Sequence, residues 1–223
     1  MTSIETLTER ADLLVGGLQI QSRKKSKGIG TLGCIVFDKQ TGKALGLTNR
    51  HILKKRRGFS VIQPALKRRS DTYTIGKILR KGGRGRSNDF AVFEIDLDNR
   101  SFDAQNSIAG LEGKLTEIAV PEKGMKVQKV GQRTGHTFGI IAEVTSTSIT
   151  IVPNPDKLPR DEAGKVSEIS KGGDSGALWV TDEANFKAVG LHRAGEPDGS
   201  PIANDKAFAI PMARVMRQLQ IRF

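Results

Sequence analysis

From Gly30 onward, short apolar runs alternate with turn residues, and this pattern predicts β-strands. In the first half of the chain, the predicted strands cover residues 31–37, 44–48, 61–62, 73–79 and 90–95. In the second half they cover residues 126–130, 139–144, 148–152, 177–180, 187–191 and 207–210. Evenly spaced short strands are typical of antiparallel barrels or sandwiches. We therefore predict an all-β fold of two six-stranded antiparallel barrels, one in each half.

Apolar residues at helical spacing near both ends predict a short helix at each end. The first would cover residues 3–14 with Ser3 as its cap, and the second would begin at Pro211. The apolar positions are Ile4, Leu7, Ala11 and Leu14 in the first, and Val215, Met216 and Leu219 in the second. The predicted organisation is an N-terminal helix and basic lead-in (1–28), a first barrel (29–98), a crossover linker (99–123) and a second barrel with the C-terminal helix (124–223).

Composition places the chain among soluble globular proteins. Of its 223 residues, 37% are hydrophobic and 27% are charged. No apolar run approaches the ~18 residues that a membrane span needs, so we expect none. The start of the chain lacks the profile of a secretory signal. The single cysteine, Cys34, excludes an internal disulfide and is expected to be buried, so we expect a cytoplasmic protein.

The net charge of +12 comes from one segment. Residues 50–86 contain thirteen Lys or Arg and one acid, Asp71, so this segment carries the whole excess. Such a field can attract nucleic acid, an acidic lipid surface or an acidic protein. The alternative is a set of solvated basic loops.

The candidate chemistry starts at Ser175, in the turn Gly-Gly-Asp-Ser-Gly over residues 172–176. Backbone N–H groups of a glycine-rich turn can form an oxyanion site beside a hydroxyl nucleophile. A serine needs a base and a group that orients this base. Without them, the same residues are an ordinary hairpin turn.

Only three histidines are available as the base. His51 follows an apolar strand, His136 lies in a glycine turn and His192 lies within a strand. Taken alone, a histidine in any of these places is more often a surface or core residue than a catalytic base. Asp89 immediately precedes the strand at 90–95, although Asn-Asp is also a common turn. The order His51, Asp89, Ser175 is that of the chymotrypsin triad. An α/β-hydrolase has its serine first.

Three segments carry a resemblance to trypsin-like serine proteases of the chymotrypsin fold: Leu-Thr-Asn-Arg-His-Ile at 47–52, Asp-Phe-Ala-Val at 89–92 and Gly-Asp-Ser-Gly at 173–176. The resemblance covers roughly residues 16–223. Within the superfamily, the chain is most similar to the intracellular narrow-leaf proteases of plants and their bacterial relatives. Residues 30–34, 62–64, 131–139, 189–191 and 210–211 support this subgroup.

The resemblance implies a serine endopeptidase without metal or cofactor. Ser175 would attack the scissile carbonyl, His51 would take and return the proton, and Asp89 would fix the imidazole tautomer. The N–H groups of Gly173 and Ser175 would bind the oxyanion. In classical digestive relatives, a freed N-terminus pairs with the aspartate beside the nucleophile, which here is Asp174. We expect Asp174 to pair with a group inside the protein instead, so that the chain is competent as synthesised.

The resemblance also implies a substrate site. Ile169 occupies the position where trypsin has an aspartate, so cleavage after Lys or Arg is not expected. The edge of Arg193, Ala194 and Gly195 would pair with the substrate. The motif Gly-x-His-x-x-Gly around His192 is similar to that of glutamyl endopeptidases and viral proteases, which implies Glu or Gln at P1. Alternatively, His192 only packs within its strand.

A second function from another class stays open. The chain could be a catalytically idle, protease-like module that uses its basic 50–86 segment to bind nucleic acid or an acidic partner. Arg193, where many relatives have a small polar residue near the catalytic aspartate, keeps this alternative open. Its charge can disturb Asp89, or its side chain can point outward.

Overall fold

Strands dominate the chain, as the alternation of apolar runs and turns predicts. The computed structural model describes residues 4–22, 28–54, 57–65, 73–161, 163–199 and 201–223. The helices are α1 (Ile4–Thr8) and α2 (Met212–Leu219). The strands are β1 (Leu13–Leu14), β2 (Gln19–Ser22), β3 (Ile29–Thr31), β4 (Cys34–Asp38), β5 (Ala44–Thr48), β6 (Ser60–Ile62), β7 (Thr74–Lys81), β8 (Ala91–Ile95), β9 (Ser101–Phe102), β10 (Lys126–Gly131), β11 (Gly135–Val144), β12 (Ile149–Pro153), β13 (Leu178–Thr181), β14 (Ala188–Gly195), β15 (Ala207–Pro211) and β16 (Ile221–Arg222).

The described strands form two large antiparallel systems, which confirms the predicted double-β architecture. The second half is a closed six-stranded barrel in the order β10-β11-β12-β15-β14-β13. The first half is an eight-stranded sheet in the order β16-β4-β5-β8-β7-β6-β2-β3. Its edge strand β16 comes from the C-terminus, where Ile221 pairs with Asp38. The chain therefore returns to the first half after completing the second.

The N-terminal region differs from the sequence prediction. Helix α1 ends at Thr8, and Leu14 lies in β1, which pairs in parallel with β9. Ser3, the predicted cap, lies outside the described residues. Leu7 and Leu14 are both buried, so their helical spacing reflects burial in two different elements. Strand β2 was missed because its polar residues Gln21 and Ser22 are buried, which hides the usual alternation.

An apolar core joins the two halves. One cluster contains Leu47 and Val92 from the first sheet, Val180 and Leu191 from the barrel, and Val215 from α2. The shared core holds the facing ends of the two strand systems in a fixed relation. Cys34 is completely buried, as predicted, and burial raises the pKa of its thiol. Within the described residues, neither helix is long enough to cross a bilayer.

Candidate active site

His51 and Asp89 meet because their strands are neighbours. Strands β5 and β8 pair antiparallel, so the residues after the end of β5 lie beside those before the start of β8. His51 Nδ1 lies 2.6 Å from Asp89 Oδ2, and the His51 backbone N–H donates to Asp89 Oδ1 at 2.9 Å. A carboxylate only accepts, so Nδ1 carries the proton and Nε2 is left as the basic atom. Asn49 Nδ2 donates to the Asp89 carbonyl at 2.7 Å and fixes the same turn.

Ser175 lies in a turn that only glycines permit. Gly173 and Gly176 have φ values of 118° and 97°, in the left-handed region. A Cβ on Gly176 would lie 2.2 Å from Thr48 Oγ1. Thr31 fastens the turn to the first half: its N–H donates to the Ser175 carbonyl at 2.9 Å and its hydroxyl donates to the Gly173 carbonyl at 3.0 Å. The backbone of the motif at residues 30–34 therefore packs against the serine turn.

The N–H groups of Gly173 and Ser175 have no hydrogen-bond acceptor among the described residues. Two adjacent donors without acceptors can receive an anionic oxygen. The turn also lies close to the loop that carries His51: a Cβ on Gly30 would lie 2.6 Å from the Ile52 side chain and 2.8 Å from the Ser175 carbonyl oxygen. These contacts bring the backbone of the three predicted catalytic residues into one region between the halves.

The Ser175 hydroxyl does not bond to His51 in this structure. Ser175 Oγ donates to the Arg193 carbonyl at 3.2 Å, and no hydrogen bond of the described residues joins it to His51. Catalytic hydrogen bonds are often long or misaligned without substrate. A productive arrangement would need the hydroxyl to leave the Arg193 carbonyl.

Asp174 has the internal partner that the sequence analysis expects. Its carboxylate and the Lys129 ammonium are both fully buried, and Nζ lies 3.2 Å from Oδ2. Burial alone would raise the pKa of Asp174, but the Lys129 charge and several hydrogen bonds bring it below its usual value. The other donors are Arg133 N, Thr134 N, Thr134 Oγ1 and Lys171 N.

Lys129 is the main residue that sequence reasoning missed. Its signal was a lysine within the apolar strand pattern of β10 (Val-Gln-Lys-Val at 127–130). The residues after Lys129 also pack against Asp174, since a Cβ on Gly131 would lie 2.3 Å from Asp174 Oδ1. Part of the predicted 131–139 motif therefore encloses the aspartate beside the nucleophile. His136, predicted in a turn, lies in β11, where its Nε2 bonds to Gln128 Oε1 at 2.7 Å.

His192 is buried as a neutral imidazole. Burial, and then the Lys129 charge, lower its pKa to about 3. Trp179 Nε1 donates to His192 Nδ1 at 3.3 Å. Because Nδ1 accepts, the single ring proton lies on Nε2. His192 can therefore offer one neutral donor to a group in the second barrel.

Ile169 is also fully buried and contributes no charge. Its N–H donates to Asp205 Oδ2 at 2.7 Å, and its carbonyl accepts from Thr137 Oγ1 at 3.0 Å. Asp205 was not singled out in the sequence; burial raises the pKa of its carboxyl group. Next in the chain, Ser170 Oγ is buried without a hydrogen-bond partner in the described part of the chain. Both groups are neighbours of Ile169, which the sequence analysis assigns to the substrate site.

The predicted substrate-pairing edge lies on β14. Ala194 and Gly195 pair with β15, and a bulge lies between His192 and Ala194. A Cβ on Gly195 would lie 2.2 Å from Ser170 Oγ, so Gly195 lies against Ser170. The Arg193 guanidinium lies 5.8 Å from the centre of the Phe208 ring. Its side chain therefore stacks on a neighbouring strand and forms no ion pair with Asp89 among the described residues.

The basic segment 50–86 is described only in part. Lys55, Arg56 and residues 66–72, which include the cluster Lys67-Arg68-Arg69, lie outside the described residues. Arg50, Lys54 and Lys81 line a cavity of about 290 Å³ together with His51 and Asp89. Within the described ranges, no group of three or more His, Cys, Asp or Glu is arranged to hold a metal ion.

The fold of this chain is similar to that of several solved structures, although no similar sequence was found. No protein-family model matches the chain, and no curated protein sequence is similar to it. Solved structures do match: protease A of Thermobifida fusca has a TM-score of 0.64 at 16% identity, covering 94% of this chain and 97% of that one. A glutamic acid specific serine protease described as using a histidine triad in substrate binding has a TM-score of 0.66 at 16% identity, covering 93% and 98%. The chymotrypsin of Cellulomonas bogoriensis has a TM-score of 0.62 at 18% identity, covering 94% and 97%.

These structures share the arrangement of two β-systems with this chain over nearly its whole length. At such low identity the similarity is one of architecture, and activity has to be argued from the site itself. The chain has the chymotrypsin fold.

Proposed function

We propose that the protein is a serine endopeptidase with the catalytic triad His51, Asp89 and Ser175. The observation that carries the proposal is the 2.6 Å contact between His51 Nδ1 and Asp89 Oδ2, near a serine turn in which two N–H groups have no acceptor among the described residues. The fold supports it, because the solved structures that resemble the chain are described as proteases.

The reaction follows from the polarity of these groups. His51 Nε2 takes the Ser175 proton as Oγ forms a bond to the scissile carbonyl carbon. The carbonyl oxygen becomes an oxyanion and accepts hydrogen bonds from the Gly173 and Ser175 N–H groups; such donors contribute about 3–4 kcal/mol. The imidazolium, stabilised by Asp89, then protonates the leaving amine. A water molecule then attacks the acyl group on Ser175 with His51 as the base. This second step releases the carboxylic acid product and restores the Ser175 hydroxyl.

We further propose that the P1 side chain is Glu or Gln. The support is the neutral His192, whose Nε2–H can donate to a side-chain carbonyl oxygen, and the buried Ser170 hydroxyl, which has no hydrogen-bond partner among the described residues. Burying a neutral amide there costs less than burying a carboxylate, so Gln is the better fit at neutral pH. Ile169 offers no charge to a basic P1 residue. Cleavage of a peptide library varied only at P1 tests this, and a preference for apolar residues would contradict it.

An idle module that binds nucleic acid is the competing function. The bond from Ser175 Oγ to the Arg193 carbonyl favours it, as does the positive charge of the 50–86 segment. In that case a gel shift with nucleic acid would be positive while Ser175 stayed unreactive. Strong dependence of such binding on salt is expected for a polyanion.

A fluorophosphonate probe distinguishes the two functions, because it reacts with an activated serine. We expect labelling of the natural protein and loss of labelling in Ser175→Ala and His51→Ala. Peptide turnover should fall by roughly 10⁴–10⁶ in both variants. Ser146→Ala, at an exposed turn, is the matched control and should react normally. Unchanged turnover in purified Ser175→Ala would remove the proposal.

We also propose that the protein acts in a reducing compartment, such as the cytoplasm, and belongs with the intracellular narrow-leaf group. One cysteine in the whole chain is compatible with such a compartment. The support for the subgroup is the similarity of residues 30–34 and 131–139 to that group. Cell fractionation with an antibody against the protein would test the compartment.

A further inference from the structure

A basic cavity adjoins the His51–Asp89 pair, and the proposed reaction does not use it. Arg50, Lys54 and Lys81 line it, so three cations face the single carboxylate of Asp89. Both oxygens of that carboxylate already accept hydrogen bonds from His51. Among the described residues that line the cavity, positive charges therefore outnumber negative ones.

The cavity is held in place by its surroundings. Arg50 Nη1 donates to the Gly83 carbonyl at 2.7 Å, which fixes the guanidinium against the loop after β7. Burial lowers the pKa of Lys81, and the Arg50 charge lowers it further. A carboxylate in the cavity would relieve this repulsion between cations. Clefts lined by one sign of charge also concentrate ligands of the opposite sign.

We propose that this cavity is a substrate subsite that binds an acidic side chain next to the scissile bond. The proposal rests on the proposed function. The P1 side chain enters the second barrel, towards His192. Successive side chains of an extended peptide point to opposite sides. The residues flanking P1, namely P2 and P1′, therefore face the first half, where His51 and the cavity lie.

Quenched fluorescent peptides that carry a single Glu or Gln at P3, P2, P1′ or P2′ test the subsite. We expect kcat/KM to favour Glu over Gln about tenfold at P2 or P1′, and to show no preference at P3 and P2′. The preference should weaken as salt is raised. Equal turnover of the Glu and Gln peptides at every position would overturn the subsite while leaving peptide hydrolysis intact.

Charge-removing variants show whether the cavity itself is responsible. Lys54→Gln and Lys81→Gln should each lower the Glu/Gln ratio about threefold. Lys77→Gln is the matched control: it removes the same charge from the same strand, β7, but it is exposed and does not line the cavity. An equal fall of the ratio in Lys77→Gln, or an equal loss on Glu and Gln peptides in Lys81→Gln, would overturn the proposal. Absence of turnover and of Ser175 labelling would overturn both this subsite and the proposed function.

Discussion

The buried Lys129–Asp174 pair gives the sharpest prediction, because it links stability to the nucleophile turn. In Lys129→Met, the side chain keeps its length and apolar stem but loses its charge. Asp174 then stays completely buried beside Ser175 without its cation. Removing one member of a buried ion pair costs about 3–5 kcal/mol, because the other charge is left uncompensated.

The structure favours the lower end of that range. Four hydrogen bonds to Asp174 from Arg133 N, Thr134 N, Thr134 Oγ1 and Lys171 N do not involve Lys129. We therefore expect a loss of about 3 kcal/mol in the free energy of unfolding, or roughly 6–12 °C in Tm. Without the Lys129 charge, the pKa of Asp174 rises. The loss should therefore shrink as the pH falls and the carboxylate is protonated.

Urea unfolding followed by tryptophan fluorescence measures this loss. The only tryptophan, Trp179, lies 5.5 Å from Lys129 Nζ and reports on the same region. Lys126→Met is the matched control on β10, because its ion pair with Asp156 is exposed and should contribute less than about 1 kcal/mol. In the double variant Lys129→Met/Asp174→Asn, part of the stability should return. A loss in Lys129→Met no larger than that in Lys126→Met would refute the reasoning.

Three further predictions follow from the same structure. Asp89→Asn should lower kcat by about 10⁴ with unchanged circular dichroism, since an amide no longer selects the His51 tautomer; a tenfold effect or less would contradict the assigned role. Gly46→Ala should cost about 1–3 kcal/mol in urea unfolding because its Cβ would lie 2.2 Å from the Phe93 ring, whereas Gly83→Ala, with its nearest atom at 3.4 Å, should cost far less. The lowered pKa of His192, about 3 against 6.5 normally, means that the unfolded chain alone takes up this proton as the pH falls below 6.5. Stability should therefore fall by about 1.4 kcal/mol per pH unit in this window, and a His192→Gln variant with the same acid sensitivity would contradict this.

Much of the architecture and of the site could be predicted before the structure, because both have local signatures. Short apolar runs bounded by turn residues indicate strands that are buried on both faces, and this pattern holds for β4, β5 and β8. His51 at the end of one strand and Asp89 at the start of another are recognisable from their immediate neighbours. Their contact then follows from antiparallel pairing of β5 with β8. The glycines around Ser175 likewise report a turn that no other residue type could adopt easily.

Contacts between distant segments have no such signature, since local pattern carries no information on which segment fills the space opposite. The parallel pairing of β1 with β9 and the antiparallel pairing of β16 with β4 exist only after the chain has closed on itself. The ion pair of Lys129 with Asp174 spans 45 residues and depends on complete burial of both. The direction of the Ser175 hydroxyl, towards the Arg193 carbonyl, is likewise a property of the packed site. Local periodicity and residue order thus define the elements and the reactive groups, whereas burial and long-range pairing decide their charge states and final contacts.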